Sequence, residues 1–123
     1  MAKDLYILTI ALLGVLPYEE AILELGTILA TITYAEVVSH TVTKQRTAKL
    51  GRIELACENT ADYSNVTWKI TLEDKVKELK LPASLTLDFA GLDIRGGKLI
   101  KVEAKTTSGT ANVWADITGK EII

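Results

Sequence analysis

The sequence predicts an all-β protein, built as a single antiparallel β-sandwich of about eight strands. Apolar and polar residues alternate with period two over several short segments, which is the pattern of a half-buried strand. These segments recur at the spacing typical of sandwiches and barrels, with turn-forming residues between them. Helical periodicity is almost absent. A jelly-roll and an immunoglobulin-like topology are the two alternatives.

The chain has the size and composition of one globular domain. Its 123 residues are 48% hydrophobic and 24% charged, and a domain of this length buries roughly two thirds of its unfolded surface. A net charge of −2 gives no general attraction to nucleic acid or to anionic membranes. We therefore expect one domain over residues 1–123 that binds other proteins, and neither nucleic acid nor membrane.

The N-terminal third is the most apolar part of the chain. Residues 5–16, LYILTIALLGVL, include a single polar side chain. Residues 4–13 fit a strand buried on both faces or a buried helix, and Ile7, Thr9 and Ile10 favour the strand. The run is too short to cross a membrane and lacks the basic start and cleavage site of a signal peptide, so we expect a soluble protein that is made in the cytoplasm of its host cell.

This excess of apolar residues has two explanations. Either these strands form the centre of both sheets, or they cover the apolar surface of a neighbour. We favour the second, because exposed apolar area of this extent is otherwise an aggregation hazard. Residues 1–25 are then a segment for docking or oligomerisation. Its interface candidates are Leu5, Ile7, Leu8, Ile10, Leu12 and Leu13.

The next elements are less clearly marked. Residues 19–25, EEAILEL, are the one place where a short helix competes with a strand, and Gly26 ends either. Residues 27–42 are rich in β-branched side chains but too long for one strand, so we expect two strands with a break near Tyr34-Ala35-Glu36. Residues 43–50 are the most basic segment, and they predict a loop or a solvated strand end.

The middle of the chain has the clearest alternation. We expect strands over residues 52–58, 66–73 and 84–89, a loop over residues 59–65, and a turn at Asp74-Lys75 followed by a short strand to Leu81. Residues 91–97 are expected to be a connection. The predicted inward side chains are Ile53, Leu55, Cys57, Val66, Trp68, Ile70, Leu72, Leu85, Leu87 and Phe89.

Residues 96–123 fit a closing β-hairpin with its turn at Ser108-Gly109. The inner face of the two arms is apolar, and it predicts core positions at Ile100, Val102, Val113 and Ala115. Trp114 falls on the polar face, across from the charged residues of the other arm. Because aromatics are enriched at contact sites, Trp114 is the seventh interface candidate. The alternative is a Trp packed under a loop or over lysine stems.

No catalytic, cofactor or metal signature is present. The single histidine, His40, and the single cysteine, Cys57, cannot make a tetrahedral zinc site or an internal disulfide. His40 lies on an expected strand without a nucleophile elbow. Gly96-Gly97 precedes a strand rather than a helix, so it is not a phosphate-binding loop. We expect a protein without enzymatic activity, cofactor or metal.

Residues 64–119 resemble the small β-sandwich accessory proteins of tailed-phage capsids and tails. The resemblance lies in short Thr- and Val-rich strands and tight turns over SNVTWKITLEDKV, LPASLTLDFAGLDI and GGKLIKVEAKTTSGTANVWADITG. It implies a structural virion protein that stabilises a lattice, as a homo-oligomer or bound to a capsid shell protein. Residues 5–16 and 26–38 are the implied contact region. Deleting residues 1–16 would then abolish assembly.

A carbohydrate- or receptor-binding sandwich is the alternative function. Such modules place aromatic side chains on an exposed face or at a loop tip. Trp114 and Tyr63 are the candidates here, and a glycan array with Trp114→Ala as control would decide. An enzyme ranks third.

Overall fold

The computed structural model describes residues 19–123, which form a β-sandwich of eight antiparallel strands and one 3₁₀ helix. The predicted all-β class is confirmed. The strand predicted for residues 4–13 lies outside the described residues. The elements are β1 (Glu19–Ala30), β2 (Ala35–Thr41), β3 (Thr47–Cys57), the 3₁₀ helix (Thr60–Asn65), β4 (Val66–Leu72), β5 (Lys75–Leu79), β6 (Leu85–Arg95), β7 (Leu99–Thr106) and β8 (Ala111–Ile122).

The strands follow the jelly-roll order. One sheet, sheet A, runs β1-β8-β3-β6, and the other, sheet B, runs β2-β7-β4-β5. The first strand pairs with the eighth, the second with the seventh, the third with the sixth and the fourth with the fifth, all antiparallel. The chain is therefore one long hairpin wound into two sheets. This order distinguishes the jelly roll from the immunoglobulin-like alternative.

The core lies between the two sheets, and the sequence alternation identifies most of it. Trp68 on β4 is the largest fully buried side chain. The inward faces predicted for β3, β4, β7 and β8 are confirmed, because these side chains pack together in one apolar cluster. Its members from those strands include Ile53, Leu55, Val66, Trp68, Ile70, Ile100, Val102, Val113 and Ala115.

The predicted closing hairpin of residues 96–123 is wrong in its pairing. β7 lies in sheet B between β2 and β4, whereas β8 lies in sheet A between β1 and β3. Both inner faces still enter the core, because the chain crosses from one sheet to the other between the two strands. Trp114 is consequently opposite Thr27 of β1 and Ala56 of β3, and not opposite the charged residues of β7.

The short helix considered for residues 19–25 is also wrong. β1 runs without interruption from Glu19 to Ala30, and every one of its residues is in register with β8. Pairing with β8 therefore overrides the helix propensity of the Glu- and Leu-rich segment. The break predicted near Tyr34-Ala35-Glu36 lies slightly earlier, over residues 31–34, since β2 already begins at Ala35.

β6 is longer than the sequence predicts, because it passes through the supposed connection at residues 91–97. A bulge makes this possible. Arg52 pairs with Asp88 and Leu50 with Leu92, so three residues of β6 lie opposite one residue of β3. Two of the three, Ala90 and Gly91, have positive φ angles of 51° and 79°. The predicted end of the strand is therefore only a local irregularity.

Candidate interface surfaces

The two sides of the sandwich differ. The strand order brings the edge strands β1 and β2 together at one side, and β6 and β5 together at the other. We call these the closed edge and the open edge. The closed edge is sealed by backbone contact and by a cluster of charged side chains. The open edge leaves apolar side chains accessible to solvent.

At the closed edge the backbones of β1 and β2 touch. A Cβ atom added to Gly26 would lie only 1.9 Å from the carbonyl oxygen of Val37. No larger residue fits between the strands at this point. Gly26 therefore does not end an element, as the sequence suggests, but allows the two sheets to meet.

A histidine held between two carboxylates, one of them Glu24 of β1, closes the same edge two residues before Gly26. His40 Nδ1 lies 2.8 Å from Glu24 Oε2, and His40 Nε2 lies 2.6 Å from Glu121 Oε2. These three residues come from β2, β1 and β8, so the cluster joins the two sheets. With both ring nitrogens engaged by carboxylates, the imidazole has no nitrogen left to act as a general base. The cluster is structural.

The pKa values fit this structural role. Burial alone lowers the pKa of His40, but the hydrogen bonds with Glu24 and Glu121 outweigh burial and raise it above 6.5. Burial raises the pKa of Glu121, which is 3% exposed, but its bonds with His40 and Thr43 outweigh burial and lower the pKa. Arg46 Nη1, 3.4 Å from Glu121 Oε1, adds a second cation. A protonated His40 donating to both carboxylates is the arrangement favoured.

At the open edge an apolar groove runs between β5 and β6. Its volume is about 460 Å³, and apolar side chains of β4, β5 and β6 form most of its lining. Phe89, which the sequence places inside the core, is only partly buried and lines this groove, and Leu85 is exposed. The apolar lining comprises Ile70, Leu72, Val76, Leu79, Leu87, Phe89, Leu92 and Ile94.

Charged residues flank the groove unevenly. Glu73 is paired with Arg95 at 2.8 Å, a hydrogen bond that lowers the pKa of Glu73, and Asp93 is paired with Lys49. Lys75 and Lys77 are in register with Leu72 and Ile70, so they lie on the inward face of β5. Within residues 19–123 neither lysine forms an ion pair. The groove therefore has two unpaired cations on one wall.

A row of leucines lies on the outer face of β1. Leu23, Leu25 and Leu29 are 63%, 67% and 56% exposed. We call these three residues the leucine ridge. Trp114 of β8, which is 37% exposed, lies beside the ridge because it pairs with Thr27, between Leu25 and Leu29. Its outward position, predicted from the sequence, is confirmed.

The other aromatic proposed for an exposed site is not accessible. Tyr63 is buried, and its hydroxyl accepts a hydrogen bond of 3.1 Å from the backbone N–H of Cys57. Cys57 is buried too, and burial raises the pKa of its thiol to about 11. The thiol is therefore protonated at neutral pH and unreactive.

Most of the interface residues chosen from the sequence fall outside the described part of the chain. Leu5, Ile7, Leu8, Ile10, Leu12 and Leu13 remain predictions, whereas Trp114 lies where a contact residue is expected. Sequence reasoning missed the leucine ridge as a distinct surface. Its signal is present in the alternation of β1, where leucines occupy odd-numbered positions 23, 25 and 29. The groove has no local sequence signal.

The described residues show no other candidate centre. Over residues 19–123 no three His, Cys, Asp or Glu side chains come close enough to hold a metal ion. None of the helices in that range has the length and apolar character needed to cross a membrane. No protein-family model matches the chain, and a search of curated proteins finds no similar sequence. The functional argument therefore depends on the surfaces themselves.

Proposed function

We propose that this protein is a structural assembly subunit, which holds a lattice of protein subunits together through non-covalent contacts. The leucine ridge is the observation that carries the proposal. Edge strands are normally protected by charges, proline or bulges. Along residues 23–29 the one charged side chain, Glu24, instead turns toward His40. An apolar edge of this kind is typical of a protein–protein contact.

Packing of a partner's apolar face against the outer face of β1 is the geometry that we propose for this contact. The free side of β1 adjoins β2, whose backbone touches it at Gly26, so this edge is not open to an added strand. The partner would cover the leucine ridge and Trp114. The same contact would remove exposed apolar area that otherwise favours aggregation.

A virion shell is the lattice that we propose, with a second copy or a capsid shell protein as partner. The resemblance of residues 64–119 to phage accessory proteins supports this choice. Jelly rolls occur in viral capsid proteins and also in lectins. The fold is thus compatible with a virion protein by analogy only, since one fold serves many functions. The buried position of Tyr63 disfavours the sugar-binding alternative, which needs it exposed.

Sedimentation velocity on the full chain tests the assembly function. We expect the wild-type chain to self-associate as concentration rises, and Leu23→Thr with Leu25→Thr to weaken association at least tenfold. Burial of one leucine contributes about 1.5 kcal/mol, which is roughly tenfold in affinity. Threonine preserves strand propensity, so the fold should persist.

Ile123→Thr is the matched control, because Ile123 is as exposed as the ridge leucines but lies after β8. It should associate like the wild type. Equal association of the ridge variant, the control and the wild type would show that the ridge is not a contact surface.

A further inference from the structure

The apolar groove at the open edge is not filled by any side chain within residues 19–123. We infer that it binds a single-chain anionic amphiphile, with the hydrocarbon tail on the apolar floor and the anionic head at Lys75 and Lys77. This ligand site goes beyond the proposed assembly function and does not depend on it, because the leucine ridge lies at the opposite edge.

The floor of the groove consists of core-facing side chains that the fold leaves accessible. Leu92 pairs with Leu50, and Leu87 pairs with Ile53. Both partners are fully buried, so Leu92 and Leu87 also point to the inner side of sheet A. Leu92 is nevertheless 45% exposed, and Leu87 is only partly buried. Inward apolar side chains that remain in contact with water favour the binding of an apolar ligand.

The wall contributed by β5 is cationic. Lys75 and Lys77 are in register with Leu72 and Ile70, whose side chains point inward, so both lysines lie on the groove side of β5. Neither lysine forms an ion pair within residues 19–123. The groove thus combines an apolar floor with two cations that have no partner in this part of the chain.

The carboxylates of the lining do not neutralise these lysines. Glu73 accepts a hydrogen bond of 2.8 Å from Arg95 Nε, and Asp93 is paired with Lys49. Each carboxylate therefore already has a cation of its own. The charge left over along the groove is positive, and it attracts an anion.

The head group of the ligand is selected by this charge. An uncharged apolar ligand would strip water from the two ammonium groups without replacing it, and a cationic ligand would be repelled. An anionic head would instead accept charge-assisted hydrogen bonds from Lys75 and Lys77. The methylene stems of the same lysines would lie along the tail.

The dimensions of the groove fit one extended chain. From Lys75 to Leu79, β5 extends about 13 Å at roughly 3.3 Å per residue, which is similar to the extended tail of decanoate. The groove volume of about 460 Å³ lies within the usual range of small-molecule sites. Decanoate is therefore a suitable probe.

Inward lysines on an edge strand have another possible role, which is to deter the addition of a further strand. That role requires charge on β5 but no ligand in the groove. It predicts no preference for the head group of an amphiphile, so the two roles can be separated by experiment.

Isothermal titration calorimetry on the full chain tests the inference with three probes of equal tail length: decanoate, decanol and decyltrimethylammonium. We expect one decanoate per chain, bound at least about tenfold more tightly than decanol, with decyltrimethylammonium weakest. Lys75→Gln with Lys77→Gln should reduce decanoate affinity to about that of decanol. The matched control is Lys44→Gln with Lys80→Gln, which removes the same charge from exposed lysines outside the groove and should keep the preference.

A leucine substitution locates the tail. Leu92→Gln should weaken decanoate and decanol alike, by at least about fivefold, because it makes the floor polar. Leu29→Gln, at an exposed leucine of the opposite edge, is the control and should bind both probes like the wild type. All the altered side chains are exposed, so the fold should tolerate these changes, and thermal melts check this.

Three outcomes would overturn the inference, and the first two need no variant. One is equal affinity of the wild-type chain for all three probes. Another is no saturable binding of decanoate up to about millimolar concentration, as expected if residues 5–16, a second copy or a larger partner occupies the groove. The third is decanoate binding that the lysine variant leaves unchanged. None of these results affects the assembly function, which the ridge variant Leu23→Thr with Leu25→Thr tests separately by sedimentation.

Discussion

Replacing Gly26 by alanine tests how the closed edge is built. The added Cβ atom would lie 1.9 Å from the Val37 carbonyl oxygen and 2.8 Å from the Val38 Cβ. Real Cβ atoms essentially never approach other atoms within 3.0 Å. The obstacle is backbone in the facing sheet, so it cannot rotate away like the end of a flexible side chain. β1 and β2 must therefore move apart by about 1 Å or more.

The cost follows from what that movement disturbs. Val37 and Val38 are buried at the contact, and Glu24 with His40 bridges the same two strands. Inserting a carbon into a packed site typically costs about 1–3 kcal/mol. Alanine recovers about 0.4–1 kcal/mol by restricting the unfolded chain. Because the clash is with backbone, we expect the upper part of the range, a net loss of about 2 kcal/mol.

Urea denaturation followed by circular dichroism measures this loss. The matched control is Gly51→Ala, whose added Cβ would lie 3.1 Å from the Thr118 carbonyl oxygen, a contact that small adjustments relieve. We expect the control to lose less than about 1 kcal/mol. A Gly26→Ala protein with the stability and m-value of the wild type would refute the backbone contact between β1 and β2.

Two other predictions concern the core and the charged cluster. Trp68→Ala should lower the free energy of unfolding by about 3–5 kcal/mol because the ring is fully buried. Phe89→Ala should lower it clearly less because Phe89 faces the groove, and equal losses on urea denaturation would contradict this. His40 should stabilise the fold fully below about pH 6.5, its unfolded pKa, and lose that effect as pH rises through its higher folded pKa. Glu121, with a lowered pKa, should stabilise above about pH 4.5 and lose its effect as pH falls through the folded pKa. Thermal melts of His40→Gln across this window should lack the decline on the alkaline side, and a decline identical to that of the wild type would exclude the cluster.

The faces of the core strands could be predicted from the sequence, because period-two alternation is a local signal. Trp68 and Ile70 have polar neighbours on both sides, and any sheet that buries one face must bury these two side chains. The pairing of strands is not local. Residues 96–123 have the alternation and turn of a hairpin, yet the jelly-roll order separates the two arms into different sheets.

For β1, too, local sequence alone does not predict the structure, because pairing with a distant strand decides it. Its first seven residues include two adjacent glutamates and several strong helix formers, so local propensity supports a short helix. Only the twelve-residue register with β8 makes it a strand. Gly26 is likewise misleading in isolation. A glycine after a possible helix suggests a stop, whereas here it marks the contact with Val37.

Of the two candidate surfaces, the one on β1 and β8 could be predicted from the sequence, and the groove could not. The outward positions of Trp114 and of Leu23, Leu25 and Leu29 follow from alternation along β8 and β1. The contact surface expected from the apolar N-terminal third stays a prediction. The groove could not be predicted, because it exists only where β5 and β6 become neighbouring edges. Phe89 has the pattern of a core residue, and its partial exposure depends on which strand faces it.

The difference between the two edges has a physical cause in the inward residues of the edge strands. At the closed edge, Gly26 presents only backbone to Val37, so nothing prevents the sheets from meeting. At the open edge, Lys75 and Lys77 occupy inward positions of β5. Closing the sheets over Phe89 would strip water from two ammonium groups that have no partner within residues 19–123, which costs far more than the apolar contact returns. The lysines therefore keep the groove open.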